Sequence, residues 1–226
     1  MTRKTLLVGA LLAVLPTAAF AEGFNWNATI ASDYLYRGID QNDDQPALQL
    51  GAGYDFSNGF YVGAWGSNID FGDDTDAEID TFVGYRHELT DAAKLDVQVV
   101  RYNYVGEPNG TDYAYNELIT KLGVGENLAF TVGYTNDYLN TDVNSWYSGV
   151  AGNWAIDDTY TLNANAGWTQ IGGPLEDYFD YGVSVSRAVG PATVALGYVA
   201  SSSNARDNFG RDLAEDKVLL TLGFGG

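Results

Sequence analysis

FNWNATIASDYLYR, residues 24–37, alternates apolar and polar positions. Phe24, Trp26, Ala28, Ile30, Tyr34 and Tyr36 share one face, and Asn25, Asn27, Thr29, Asp33 and Arg37 share the other. Side chains of an extended strand point alternately to its two sides, so this pattern suits a wall with lipid on one side and a polar lumen on the other. The same unit recurs to the end of the chain. Leu48, Leu50, Ala52, Tyr54 and Phe56 oppose Gln49, Gly51, Gly53 and Asp55. Tyr160, Leu162, Ala164, Ala166 and Trp168 oppose Thr161, Asn163, Asn165 and Thr169. Val218, Leu220, Leu222 and Phe224 oppose Lys217, Thr221 and Gly223.

The fold class expected is all-β: an antiparallel transmembrane β-barrel of twelve strands. They run over 24–37, 46–57, 60–70, 78–89, 94–104, 112–123, 128–136, 145–156, 160–170, 177–187, 192–200 and 215–224. Short connections at 57–59, 90–93, 124–127, 157–159 and 188–191 alternate with longer ones at 38–45, 71–77, 105–111, 137–144, 171–176 and 201–214. That asymmetry belongs to outer-membrane barrels, with short periplasmic turns and longer outer loops. In the fifth strand the switch from Leu95, Val97 and Val99 to Tyr102 and Tyr104 predicts a bulge near Val100. Tyr34, Tyr36, Tyr61, Trp65, Trp146, Trp154 and Trp168 are expected to form an aromatic belt at the lipid interface.

Upstream, Arg3 and Lys4 precede the apolar run TLLVGALLAVLP at 5–16, and Ala19-Phe20-Ala21 fits a small-x-small cleavage site. Residues 1–21 therefore read as a cleaved signal peptide and 22–226 as the barrel, destined for the outer membrane of a Gram-negative cell. The apolar run is short of the ~20 residues a membrane helix needs. The mature N-terminus is expected at Glu22, and mass spectrometry of the outer-membrane form checks this; intact Met1 would overturn it.

The chain has no Cys, which removes thiolate metal sites, thiol nucleophiles and disulfides together. The net charge of −19 falls to −21 once Arg3 and Lys4 leave with the leader. So acidic a chain is a poor partner for nucleic acid. The segment SDYLYRG at 32–38, with QPALQ at 45–49, GFYVGAWGSNIDF at 59–71 and EIDTFVGY at 78–85, resembles the TorF family of porin-like exported proteins. Two positions depart from that pattern: Asp40 stands where Ser or Thr is expected, and Gly225-Gly226 follows the terminal aromatic Phe224. The resemblance implies a porin-like role and supplies neither a substrate nor catalytic residues.

The function expected is a porin-like channel for passive diffusion of small hydrophilic solutes, with cations preferred. The alternative is a non-conducting structural or surface-interaction barrel whose acidic loops bind cations. Partners on either reading are outer-membrane lipid, lipopolysaccharide and small solutes or cations. The lumen candidates for selectivity are Asp33, Arg37, Asp55, Asp80, Arg86, Glu117, Lys121 and Asp180, with Glu88, Asp96 and Lys217 on the same faces. The acidic outer-loop candidates are Asp40, Asp43, Asp44, Asp73, Asp74 and Asp76. DFGDDTDAE at 70–78 is rich in oxygen ligands but has no glycine at the sixth position of a calcium loop and no glutamate at the twelfth, so no metal site is assigned. No cofactor is expected, and no catalytic residue: His87 is the single histidine, it falls on an outward face, and no G-x-S-x-G signal accompanies it.

Overall fold

The period-two pattern closes on itself. A computed structural model describes residues 22–226; the expected leader, 1–21, lies outside the described residues. Twelve antiparallel strands form a closed barrel: β1 (Gly23–Ala31), β4 (Ala47–Asp55), β5 (Phe60–Asn68), β6 (Ala77–Thr90), β7 (Ala93–Val105), β8 (Tyr115–Val124), β9 (Leu128–Thr135), β10 (Ser145–Ala155), β11 (Tyr160–Ile171), β12 (Tyr178–Val189), β13 (Ala192–Ser201) and β14 (Lys217–Gly225). Each strand pairs with its chain neighbours, and β1 closes against β14 from Asn27–Gly225 to Ala31–Thr221. Closure leaves no unpaired sheet edge.

Alternation places Phe24, Leu50, Val62, Val83, Phe130, Phe179 and Leu220 on an outward, exposed apolar wall. Thr29, Gln49, Asp80, Glu117, Thr131 and Asp180 point inward and are buried. The short connections all fall at the end that carries both described termini, and the long ones at the opposite rim, as the sequence predicts.

Three expectations are corrected. First, β1 stops at Ala31. Residues 32–46 leave the wall and fold into the bore around a small hairpin, β2 (Leu35–Tyr36) and β3 (Ile39–Asp40). Its two-residue turn is Arg37-Gly38, with φ of 51° and 79°. Positive φ at both central positions is the type I′ requirement, and Arg37 accepts it at a steric cost. Second, Tyr34, Tyr36, Tyr61 and Trp65 are not a lipid belt. The first two ride on the inward loop; Tyr61 and Trp65 occupy the lumen face of β5, where Tyr34 meets Trp65 edge-on at 5.4 Å. Trp146 and Trp154 do face outward, and Trp168 packs on outward Phe179 at 4.0 Å. Third, β7 carries no bulge at Val100. Its register with β6 runs unbroken from Ala77–Val105 to Glu88–Lys94, and the single shift lies between Glu88 and Thr90. Tyr102 and Tyr104 are simply aromatic residues that line the bore.

The long connection between β13 and β14 holds α1 (Ser203–Phe209), which sequence periodicity did not show. Ala205 and Ala214 are fully buried there with Ile39, Ile171 and Tyr178, so this loop packs down over the inward hairpin.

Candidate functional site

The bore is organised in three layers of charge. At the rim of the long loops, Lys217 of β14 projects among the carboxylates of the inward segment. Its Nζ lies 3.0 Å from Asp40 Oδ2 and 3.5 Å from Asp33 Oδ2, and it also pairs with Asp44. Asp33, Asp40 and Asp44 form a trio close enough to hold a metal ion, and the Lys217 ammonium sits against all three. Asp40, expected in an exposed outer loop, is thus buried and part of the plug; its backbone N–H also donates to the carbonyl of Leu213.

Below, Arg37 crosses the bore. Its Nη2 donates to Glu117 Oε1 of β8 at 2.7 Å, with both side chains nearly sealed from solvent. The guanidinium stacks over Tyr36 at 4.7 Å and Tyr147 at 4.3 Å. Glu117 also accepts from Tyr102 at 2.9 Å and Tyr36 at 3.2 Å. Two glycines make room for this layer. A Cβ on Gly133 would lie 2.5 Å from Glu117 Oε1, and one on Gly38 would lie 2.9 Å from Asp180 Cβ on the opposite wall. The hairpin therefore spans the bore from β8 and β9 to β12.

Towards the short-turn end, Arg86 of β6 pairs with Asp55 and, at 3.4 Å, with Asp96, while Tyr61 donates to Asp96 at 2.6 Å. Lys121 lies on the same inward face of β8 as Glu117 and lines the cavity under the plug. Between this layer and the plug the lumen holds two adjoining cavities of about 250 and 270 Å³, which share Trp65, Asp80, Tyr102 and Ile119.

All eight expected lumen residues therefore face the bore. Asp33 and Arg37 reach it from a folded loop rather than a strand. Of the outer-loop candidates, Asp43, Asp73, Asp74 and Asp76 are exposed, and Asp44 is exposed yet engaged by Lys217. Its contact with Thr75, whose backbone N–H donates to Asp73 Oδ1 at 2.8 Å, holds the Asp73 carboxyl below its ordinary range, so it stays charged. His87 faces outward and stacks on Tyr85 at 6.1 Å. Residues that sequence reasoning missed are Tyr36, Tyr102 and Tyr147, read as belt or unassigned. The usable signal was Arg37-Gly38, a two-residue turn between Leu35-Tyr36 and Ile39-Asp40.

The barrel is similar in fold to two solved porin structures. One, described as the NanC porin, aligns with a TM-score of 0.54 at 13% identity, covering 89% of this chain and 98% of the other. The second, described as the KdgM porin in complex with disordered oligogalacturonate, aligns with a TM-score of 0.52 at 8% identity, covering 89% and 96%. Identities this low establish the fold alone. No curated protein matches the sequence. One family model spans residues 16–224, nearly the whole chain, and on that match the protein belongs to Gcw_chp, a family of bacterial proteins of unknown function.

Proposed function

We propose that this barrel is an outer-membrane channel for passive passage of small hydrophilic solutes, narrowed by its own first long loop and selective for cations. The observation that carries the reading is the chemistry of the lumen. Asp80 Oδ1, Tyr147 Oη, Asn165 Oδ1 and Asp180 Oδ2 are buried in the bore with no hydrogen-bond partner within the protein. Leaving such groups dry costs about 1–3 kcal/mol each, so the bore is built for water and polar solutes. A blocked barrel would instead pair such groups with one another across a filled polar interior. The fold shared with porins supports the same reading, as does the resemblance to the TorF family. Outer-membrane lipid and lipopolysaccharide are the surroundings proposed for the apolar wall, and no enzymatic role is proposed.

Cation preference follows from fixed charge. Glu78, Asp80 and Asp180 line the lumen beside Asp96 and Glu117, which Arg86 and Arg37 neutralise, and Asp73, Asp74 and Asp76 surround the mouth. Reversal potentials in planar bilayers under a potassium chloride gradient test it. Replacing Asp73, Asp74 and Asp76 by Asn is expected to weaken the preference at 0.01 M salt, where the screening length is ~30 Å, and to leave it at 1 M, where it is ~3 Å. Asp80→Asn is expected to weaken it at both, because a narrow bore admits little screening salt. Anion selectivity would sink the electrostatic argument, and no conductance at all would favour the structural barrel with cation-binding loops.

A further inference from the structure

We infer that Arg101, on the outward face of β7, anchors a phosphate of lipid A in the outer leaflet of the membrane; this rests on the outer-membrane setting proposed above and is independent of whether the bore conducts. Arg101 shares the parity of Val97, Val99 and Val105, and its cross-strand partners are Thr81 of β6 and Asn116 of β8. Thr81 and Asn116 are exposed and Arg101 is half-buried, so the three make one polar row across three neighbouring strands. Apolar wall borders the row: Ile79, Val83, Val99 and Leu118 are each between 45% and 49% exposed.

The charge on this row has no partner in the protein. Among the described residues Arg101 makes no ion pair and no side-chain hydrogen bond. Arg187, the other arginine on the outward face of a wall strand, differs. It lies near the short-turn end of β12, donates to Tyr160 Oη at 3.1 Å and sits over the Tyr160 ring at 5.3 Å. A cation that faces a bilayer needs an anion or water, so the counter-charge of Arg101 lies outside the chain.

Depth and side choose the anion. Val83 stands midway along its strands, and the Thr81–Arg101 pair is the next one towards the long-loop rim on the same face. That step is about 7 Å along the tilted strand. The ladder of β7 with β8 ends at Tyr102–Tyr115, one residue beyond Arg101, so the rim is close on that flank. An arginine buries its stem along apolar wall and carries its head towards the headgroups. The long-loop rim is the outer one, and the outer leaflet there is lipopolysaccharide, whose lipid A bears phosphate at headgroup depth. The guanidinium fork matches a phosphate with two parallel hydrogen bonds, and the Asn116 amide and Thr81 hydroxyl are further donors beside it. A second copy of this barrel is a poor occupant. Every carboxylate of the wall strands, from Asp55 on β4 to Asp180 on β12, has lumen parity, so one wall offers another no anion.

The test is native mass spectrometry of the refolded barrel after incubation with lipid A, with fully dephosphorylated lipid A or with phosphatidylglycerol. Lipid A is expected to be retained about tenfold more than its dephosphorylated form, the worth of one charge-assisted fork, and severalfold more than the phosphate diester of phosphatidylglycerol. Arg101→Gln should remove that advantage and leave retention of dephosphorylated lipid A unchanged, while Arg187→Gln should retain lipid A as the wild type does. Heat-modifiable gel mobility shows that each barrel has formed. Equal retention of the phosphorylated and dephosphorylated forms, equal retention of phosphatidylglycerol, or an Arg101→Gln barrel that keeps the preference overturns the inference. A lipid-free dimer that Arg101→Gln dissolves overturns it in favour of a second copy. If Arg101→Gln does not fold, Arg101→Lys, which keeps the charge and loses the fork, takes its place and should hold lipid A at an intermediate level. Conductance is measured on the same preparation: current without lipid A preference leaves the channel and removes the contact, and preference without current does the reverse.

Discussion

Arg37→Ala is expected to release the inward hairpin and raise single-channel conductance several-fold while the barrel stays folded. Arg37 and Glu117 form a pair whose side chains are 9% and 1% exposed. Removing one member of such a pair costs about 3–5 kcal/mol, because the other charge is left buried and unpaired. Within the hairpin only two residue pairs, Leu35–Asp40 and Tyr36–Ile39, form the ladder. Lifting it away from β8, which admits water to Glu117, is cheaper than keeping that carboxylate dry. Its base remains tied by Lys217 to Asp33 and Asp40, so the loop swings rather than being lost. Glu117→Gln should be milder, since an amide oxygen still accepts from Arg37 and Tyr102. Replacing both partners, Arg37→Met with Glu117→Leu, should return the closed behaviour, because an apolar pair leaves no stranded charge. Planar-bilayer currents and amide hydrogen exchange over residues 33–44 provide the readout. Unchanged conductance together with wild-type protection of 33–44 would show that the pair does not hold the plug.

Val83→Arg is expected to destabilise the barrel by about 2–4 kcal/mol, the cost of a cation on the lipid face at mid-membrane. Val83 is 49% exposed on the wall and pairs with Val62 on one side and Val99 on the other, midway along its strands. Depth sets the size of the effect. Leu48 also faces outward but is the second residue of β4, close to the long-loop rim, so Leu48→Arg should cost only about 0–1 kcal/mol. Leu220 lies between these depths and should fall between them. The lumen control is Gln98, which lines the lower cavity. Gln98→Arg should be mild, whereas Gln49, 1% exposed beside the inward loop, has no room for the longer side chain. Midpoints of heat-modifiable gel mobility across the series measure this. Equal costs for Val83→Arg and Gln98→Arg would mean that the wall and lumen faces are assigned wrongly.

The wall was legible because its signal is local. Which side of the sheet a residue faces depends only on its parity along the strand, and every strand repeats the same rule. Strand number, the alternation of short and long connections, and the inward placement of Asp55, Asp80, Arg86, Lys121 and Asp180 all follow from parity and turn residues. In β7, Tyr102 and Tyr104 keep strict register and face inward because this lumen is aromatic, so their opposition to Val97 and Val99 marks parity and not a bulge. The limit is clearest in residues 32–40. Tyr34 and Tyr36 continue the parity of Phe24 and Trp26, so period two alone extends the strand through them. What ends it at Ala31 is distant. Arg37 is held by Glu117, 80 residues away, and Asp40 by Lys217, 177 residues away. The sequence by itself determined a closed wall with an acidic, polar interior. Only the tertiary structure decided that a piece of that wall turns inward to narrow the bore, because the charges that pull it in come together only once the barrel has closed.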